Sequence, residues 1–275
     1  MVTSISPVRA TDAHHHASAA ELAAERVSVT IDGRTILQPT TVAFGRGSMV
    51  GILGHNGSGK TTLLKCLARQ MAPSGGLVRL GGQAADGWGA RPFARQLAYL
   101  PQQTPASTGL SGRELVAFGR YPWHGPLGRV GPEGRRAIAE AMRLSGTEAF
   151  ADRLVDTLSG GERQRVWIAM LIAQETDFIL LDEPIAALDL KHQVEVLDVL
   201  RGLARRRNTG VVLVLHDINM AARFCDRIVA LRGGAVVSDG HPDDIMRADT
   251  LETIYDLPMR IVGDAGSAHR IGVPA

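Results

Sequence analysis

Met49-Val50-Gly51-Ile52-Leu53-Gly54-His55-Asn56-Gly57-Ser58-Gly59-Lys60-Thr61-Thr62-Leu63-Leu64-Lys65-Cys66-Leu67-Ala68-Arg69 changes character twice. Met49 to Leu53 is short and apolar, the pattern of a buried strand. Gly54 to Thr61 fits the phosphate-loop spacing G-x-x-x-x-G-K-[ST]. Thr62 to Arg69 then has helical spacing. Strand, glycine turn and helix in that order predict an α/β unit with the loop at a strand's carboxyl end. Glycines at 54, 57 and 59 let backbone N–H groups approach phosphate oxygens with no Cβ in the way. The helix start, with Thr62 beside Thr61, adds fixed positive potential. On this reading Lys60 reaches the β- and γ-phosphates and the Thr61 hydroxyl ligates Mg²⁺. His55, Asn56 and Ser58 complete the cradle.

Two further stretches carry chemistry. Phe178-Ile179-Leu180-Leu181-Asp182-Glu183-Pro184 is an apolar strand ending in two acids. Asp182 is the expected second Mg²⁺ partner, and Glu183, which follows it and points elsewhere by backbone alternation, is the candidate for polarising the attacking water. A solvated acidic turn is the bland alternative, and the four apolar residues before it argue against that. Leu158-Ser159-Gly160-Gly161-Glu162-Arg163-Gln164-Arg165 opens with a capping-box pattern, and Val166 to Ala173 is apolar enough for a buried helix. Capping does not call for Gly-Gly, which costs helix stability of roughly 0.5–1 kcal/mol relative to Ala. Two glycines there leave bare N–H groups, an anion site.

These three motifs, in this order, resemble the ATPase subunits of ABC (ATP-binding cassette) systems. The resemblance implies that Ser159, Gly160, Gly161 and Glu162 close on the ATP held by a second subunit, and hence a homodimer with two composite sites. It also gives roles to isolated residues. Gln102, in Ala98-Tyr99-Leu100-Pro101-Gln102, matches the glutamine that senses Mg²⁺ and the attacking water. His216, after Val211-Val212-Leu213-Val214-Leu215, matches the switch histidine at the γ-phosphate. Asp189 matches the retained acid of the loop Pro184-Ile185-Ala186-Ala187-Leu188-Asp189. The chain departs from the family in two places: Ile31 stands where an aromatic often stacks on adenine, and Ile185-Ala186 replaces the commoner Thr-Ser.

The implied fold is an ABC-type phosphate-loop ATPase core: a mainly parallel sheet, an N-terminal antiparallel β segment and an inserted helical subdomain. The catalytic unit is expected over about 21–262, with the helical insertion at about 104–175. A disordered tail is expected over 1–20, where His14-His15-His16 lies, and a C-terminal tail over 263–275. Strands are expected at Val27–Ile31, Leu77–Leu80, Phe178–Leu181, Val211–Leu215 and Arg227–Leu231. Helices are expected at Arg113–Arg120, Glu133–Leu144, Glu162–Gln174 and Lys191–Arg207, and Gly233-Gly234 should turn a hairpin into Ala235–Ser238. The segment Gly119-Arg120-Tyr121-Pro122-Trp123-His124-Gly125-Pro126-Leu127-Gly128 reads as neither helix nor central strand. Its Trp123 either anchors an interface or pins its own loop.

Composition narrows the class. The chain has 275 residues and is 45% hydrophobic, enough for one large α/β domain. A net charge of +2 gives no electrostatic argument for nucleic acid. Cys66 and Cys225 form no C-x-x-C and read as buried fillers. No apolar run approaches the roughly 20 residues that span a bilayer, and the first residues are not a secretory signal. The segments Arg113–Gly125, Leu158–Met170, Leu215–Arg223 and Leu251–Tyr255 together further resemble the ATPases of iron–siderophore importers, most of all the bacterial ferric-hydroxamate import family. That resemblance implies a seat on the cytoplasmic face of the inner membrane, an integral permease as partner and, indirectly, a periplasmic or lipoprotein siderophore-binding protein. Importers of vitamin B12, haem or another iron chelate are the near alternative. A soluble relative acting on DNA or ribosomes is the remote one, since neither a long coiled-coil insertion nor a second cassette is present.

Overall fold

The computed structural model describes residues 21–105, 107–125, 128–186, 188–263 and 270–275. The expected tail over 1–20, with His14–His16, lies outside them.

The chain opens with strands β1 (Glu21–Ile31), β2 (Arg34–Gly45) and β3 (Met49–Leu53), then helix α1 (Lys60–Leu67). Strands β4 (Gly75–Leu80) and β5 (Gln83–Ala84), helix α2 (Ala90–Gln96) and strand β6 (Leu97–Leu100) follow. Four helices come next, α3 (Gly112–Phe118), α4 (Tyr121–His124), α5 (Pro132–Leu144) and α6 (Gly160–Gln174). Strand β7 (Phe178–Leu181), helix α7 (Leu190–Arg207), strand β8 (Gly210–Val214) and helix α8 (Ile218–Phe224) return the chain to the sheet. Strands β9 (Arg227–Arg232) and β10 (Ala235–Gly240), helices α9 (Pro242–Ile245) and α10 (Ala248–Tyr255), and strands β11 (Met259–Val262) and β12 (Ile271–Pro274) complete it.

The main sheet has the order β10-β9-β3-β8-β7-β6, parallel except for β10. Three of its four inner strands read MVGIL, FILL and GVVLV and are buried along their whole length, as a parallel sheet covered on both faces requires. Alternation divides each strand between two cores. Met49, Ile179, Leu181, Val211 and Leu213 join one with α3, α5, α6 and α7. Val50, Ile52, Phe178, Leu180, Val212 and Val214 join the other, with α1 and a second, antiparallel sheet of order β2-β1-β4-β5. Helix α1 is therefore enclosed between two sheets, which fixes the loop before it.

The structure adds elements that the sequence reading does not name, among them α2, β6, α8 and α10, and three departures bear on its bounds. Strand β2 was not foreseen: Pro39 interrupts its alternation, and proline is tolerated because β2 is an edge strand. Residues 121–124 form one helical turn, α4, where none was expected. Pro122 stands at its start, where no N–H is needed. A C-terminal tail is expected from 263, but residues 271–274 pair antiparallel with β11 and belong to the folded unit.

Candidate functional site

Ligands of open α/β sheets bind beyond the carboxyl ends of the strands. Four adjacent strands of the main sheet end here in chemistry-bearing residues. Strand β3 leads into the phosphate loop, β8 into Leu215-His216, β7 into Asp182-Glu183 and β6 into Pro101-Gln102. The registers keep these ends level, Leu100 beside Leu181 and Leu181 beside Leu213.

The loop Gly54 to Gly59 needs its glycines for backbone reasons. Gly54 has φ 141° and Gly59 φ 97°. A Cβ on Gly54 would lie 2.1 Å from Leu231 O and 2.6 Å from Ser58 Oγ. Gly57 faces open space, the side from which a phosphate would approach. Lys60 Nζ donates to Gly54 O and His55 O, both at 2.9 Å, which leaves one of its three protons for an anion. Burial pulls the Lys60 ammonium below its ordinary range, and the Glu183 and Asp182 carboxylates oppose that. The Gly233–Gly234 hairpin, read from sequence only as a turn, backs this loop: Gly234 N donates to Ser58 O at 3.2 Å and Gly234 O accepts from Gln38 N at 2.8 Å. Nothing local in the sequence announces that contact.

Thr61 Oγ1 donates to Asp182 Oδ1 at 3.0 Å. Asp182 is buried, and burial pushes its carboxyl above the ordinary carboxylate range although the Thr61 bond opposes this. Its Oδ2 is buried without a hydrogen-bond partner, as is Ser58 Oγ. A buried, unpartnered carboxylate oxygen beside a threonine hydroxyl fits a hard divalent cation or a water held by one.

Glu183 is the centre of the site. Gln102 Nε2 donates to its Oε2 at 2.8 Å, and His216 Nε2 lies 2.6 Å from its Oε1. A carboxylate only accepts, so His216 carries its proton on Nε2 in this arrangement. The Glu183 backbone is left-handed, φ 51°, a conformation that costs a non-glycine residue about 1–2 kcal/mol and that clusters at functional positions. The side chain is 13% exposed, against 43% for His216, so the histidine covers the carboxylate from the open side.

The remaining predicted residues lie apart. Ser159 caps α6 in a reciprocal box: Glu162 N donates to its Oγ at 3.3 Å, and its own N donates to Glu162 Oε2 at 2.8 Å. Those bonds hold the Glu162 carboxyl below its usual range. A Cβ on Gly160 would meet nothing within 4 Å. Among the described residues no hydrogen bond or ion pair joins Ser159, Gly160, Gly161 or Glu162 to the phosphate loop. Asp189 caps α7 by accepting from His192 N at 2.9 Å. Gln193, which the sequence reading missed, braces the loop before it, donating to Ile185 O at 3.2 Å and Leu188 O at 3.1 Å. At the expected adenine end, Ile31 is 45% exposed.

Trp123 resolves toward its own loop. Its Nε1 donates to Gln174 O at 2.7 Å. The ring lies between Arg95 and Arg120, 5.1 and 5.0 Å from their guanidinium carbons. It is still 42% exposed.

Comparison with known proteins places the chain in a family. The ABC transporter family model matches residues 37–186. The achromobactin transport ATP-binding protein CbrD of Dickeya dadantii is 41% identical over 231 residues, 84% of this chain and 86% of that protein. The iron(3+)-hydroxamate import ATP-binding protein FhuC of Bacillus subtilis is 38% identical over 243 residues, 88% of this chain and 90% of its own. The structure of a metal-chelate type ABC transporter in an inward-facing conformation superposes with a TM-score of 0.79 at 26% identity, covering 92% of this chain and 97% of that one. The family model covers more than half of the chain, and the relatives align over most of its length, so the chain belongs to the ABC transporter family, as an ATP-binding ATPase subunit.

Proposed function

We propose that this protein hydrolyses ATP as one half of a homodimer and thereby drives import of iron(III)-hydroxamate siderophores through an integral membrane permease. The observation that carries the catalytic part is Glu183, held between Gln102 and His216 at the carboxyl edge of the sheet beside the phosphate loop. In that place it orients a water and accepts its proton. Backbone N–H groups of the glycine loop and Lys60 hold the β- and γ-phosphates. Thr61 and Asp182, with Gln102 nearby, are the residues that would hold Mg²⁺, which when bound neutralises charge on the phosphate oxygens. His216 reports the γ-phosphate to its own strand and helix.

The bare, capped start of α6 supports the dimer. No hydrogen bond among the described residues ties it to its own phosphate loop, so a partner's nucleotide is a fitting ligand for its N–H groups. Charge supports a protein rather than a nucleic-acid partner. No described helix is long and apolar enough to cross a membrane. A peripheral place on the cytoplasmic face of the inner membrane, docked on a permease that a siderophore-binding protein feeds, fits these features.

The names of the relatives support an iron–chelate cargo. They also favour a second reading within that class, because the achromobactin relative is as similar as the hydroxamate one. Uptake by a strain lacking this chain decides between them. Loss of ferric-hydroxamate uptake, restored by the wild-type gene, is the expected result. Normal hydroxamate uptake with loss of another iron chelate, haem or vitamin B12 would overturn the cargo assignment.

A further inference from the structure

His216 is fixed by its backbone more than by its surroundings, since its side chain is 43% exposed. Upstream, β8 locks it to the sheet. Downstream the chain enters α8 through Asp217, which caps the helix by accepting from Asn219 N at 2.7 Å and Met220 N at 3.2 Å. Helix α8 has seven residues, too few to be stable without packing. Its first turn is gripped by the C-terminal segment. Gly272 N donates to Asn219 Oδ1 at 2.8 Å, and Asn219 Nδ2 donates to Gly272 O at 3.1 Å. The Asn219 amide thus mimics one rung of a sheet ladder on β12. Tyr255, from α10, donates its hydroxyl to His216 O at 3.4 Å. Strand β12 sits tightly on α10, because a Cβ on Gly272 would lie 2.7 Å from Leu251 Cδ1. Leu251 and Ile254 anchor α10 with no exposed surface.

We propose that the C-terminal segment of α10 and β12 is a brace that sets the switch histidine against Glu183, with Asn219 and Tyr255 as its positioning residues. The proposal rests on His216 acting at the γ-phosphate. The 2.6 Å contact between His216 and Glu183 tolerates little displacement, and a shift of about 1 Å in a reacting group can cost about 100-fold in rate. The hydrogen bonds of Asn219 and Tyr255 run to Gly272 and to His216 O, so each acts through the backbone at or beside His216.

The test is ATP turnover by the full-length chain, read as kcat and KM separately. Asn219→Ala should lower kcat about tenfold and leave KM for ATP within about twofold. Tyr255→Phe, which removes one hydroxyl and keeps the ring, should lower kcat about threefold. In a His216→Ala background, followed by single turnover, neither change should cost more than about twofold, because the group they position is gone. An unchanged kcat for both single variants overturns the brace. So does an equal loss in both backgrounds, which would mark general destabilisation. If Asn219→Ala fails to fold, the Tyr255→Phe cycle decides alone. If His216→Ala itself turns over at the wild-type rate, the role of His216 fails, and that result is distinct from failure of the brace.

Discussion

Glu183→Gln separates binding from chemistry, and the structure sets the size of the effect. Glu183 accepts from Gln102 at 2.8 Å and from His216 at 2.6 Å. A carboxamide offers one acceptor oxygen and one donor nitrogen, so only one of those bonds survives unchanged. The other partner faces a donor and must turn away or, for His216, change tautomer. The side chain also loses its capacity to take a proton. General-base catalysis contributes about 10²–10⁴-fold, or about 2.7–5.4 kcal/mol of barrier. Turnover should fall by that factor. ATP affinity should stay within about threefold, because Lys60, Thr61, Asp182 and the glycine loop are untouched. The backbone strain at φ 51° is the same for both residues, so folding should be little changed. The assay is steady-state phosphate release beside equilibrium nucleotide binding and a thermal melt. Release within about threefold of wild type would falsify the assignment of Glu183 as the group that activates water. Loss of binding together with turnover would show instead that the Gln102–Glu183–His216 bridge is structural.

Asp182→Asn should remove Mg²⁺-dependent turnover and raise the melting temperature of the nucleotide-free protein at neutral pH. The Asp182 carboxyl is pushed above its ordinary 3.8 by burial, so its ionised form is penalised in the fold. That penalty is full above the raised value and absent below 3.8, and the gain from Asn should shrink to nothing as pH falls through this window. With Ile31 where a ring would stack, ATP and GTP should bind within about tenfold, or 1.4 kcal/mol; a preference beyond a hundredfold in competition binding would show another adenine contact. Trp123→Ala should cost about 2 kcal/mol, from one hydrogen bond and two guanidinium stacks, seen as a melt lowered by about 4–8 °C. The isolated subunit's ATPase should stay within about twofold, and an unchanged melt would remove Trp123 as the pin of its loop. Mixed dimers with Lys60→Ala in one chain and Gly161→Asp in the other should keep one intact composite site, whereas loss at both would contradict the cross-subunit arrangement.

The sequence made the buried elements of this fold readable because their physics is local. Phe178–Leu181 is a strand at the expected bounds since four apolar residues followed by two acids have no other stable use. The Ser159 capping box formed as its spacing required. What escaped was set by tertiary context. Pro39 hid β2, because a single chain does not say which strand is the edge. Pro122 hid the turn of α4, because proline stops a helix from within but starts one equally well. Gln193 reads as an ordinary polar residue of the expected helix Lys191–Arg207, and Asn219 carries no signal of its own; the backbone groups they bind are brought to them by folding.

Strand order explains why these motifs can act together at all. Along the chain they run Lys60, Gln102, Ser159, Asp182-Glu183, His216. Across the sheet they run phosphate loop, His216, Asp182-Glu183, Gln102, because β8 inserts between β3 and β7. That insertion puts the acid pair between the two side chains that hold Glu183, and it sets Asp182 within reach of Thr61. Any displacement of β6 or β8 relative to β7 therefore reaches Glu183 through a hydrogen bond about 3 Å long or shorter. Gln102 leads directly into the helical insertion and His216 directly into α8. Glu183, the group proposed to activate water, is thus tied on one side to the helical subdomain through Gln102 and on the other to the chain leading into α8 through His216. The α6 start, like Asp189, is joined by no hydrogen bond to this site among the described residues, and the proposed second copy is what would give it a nucleotide to meet.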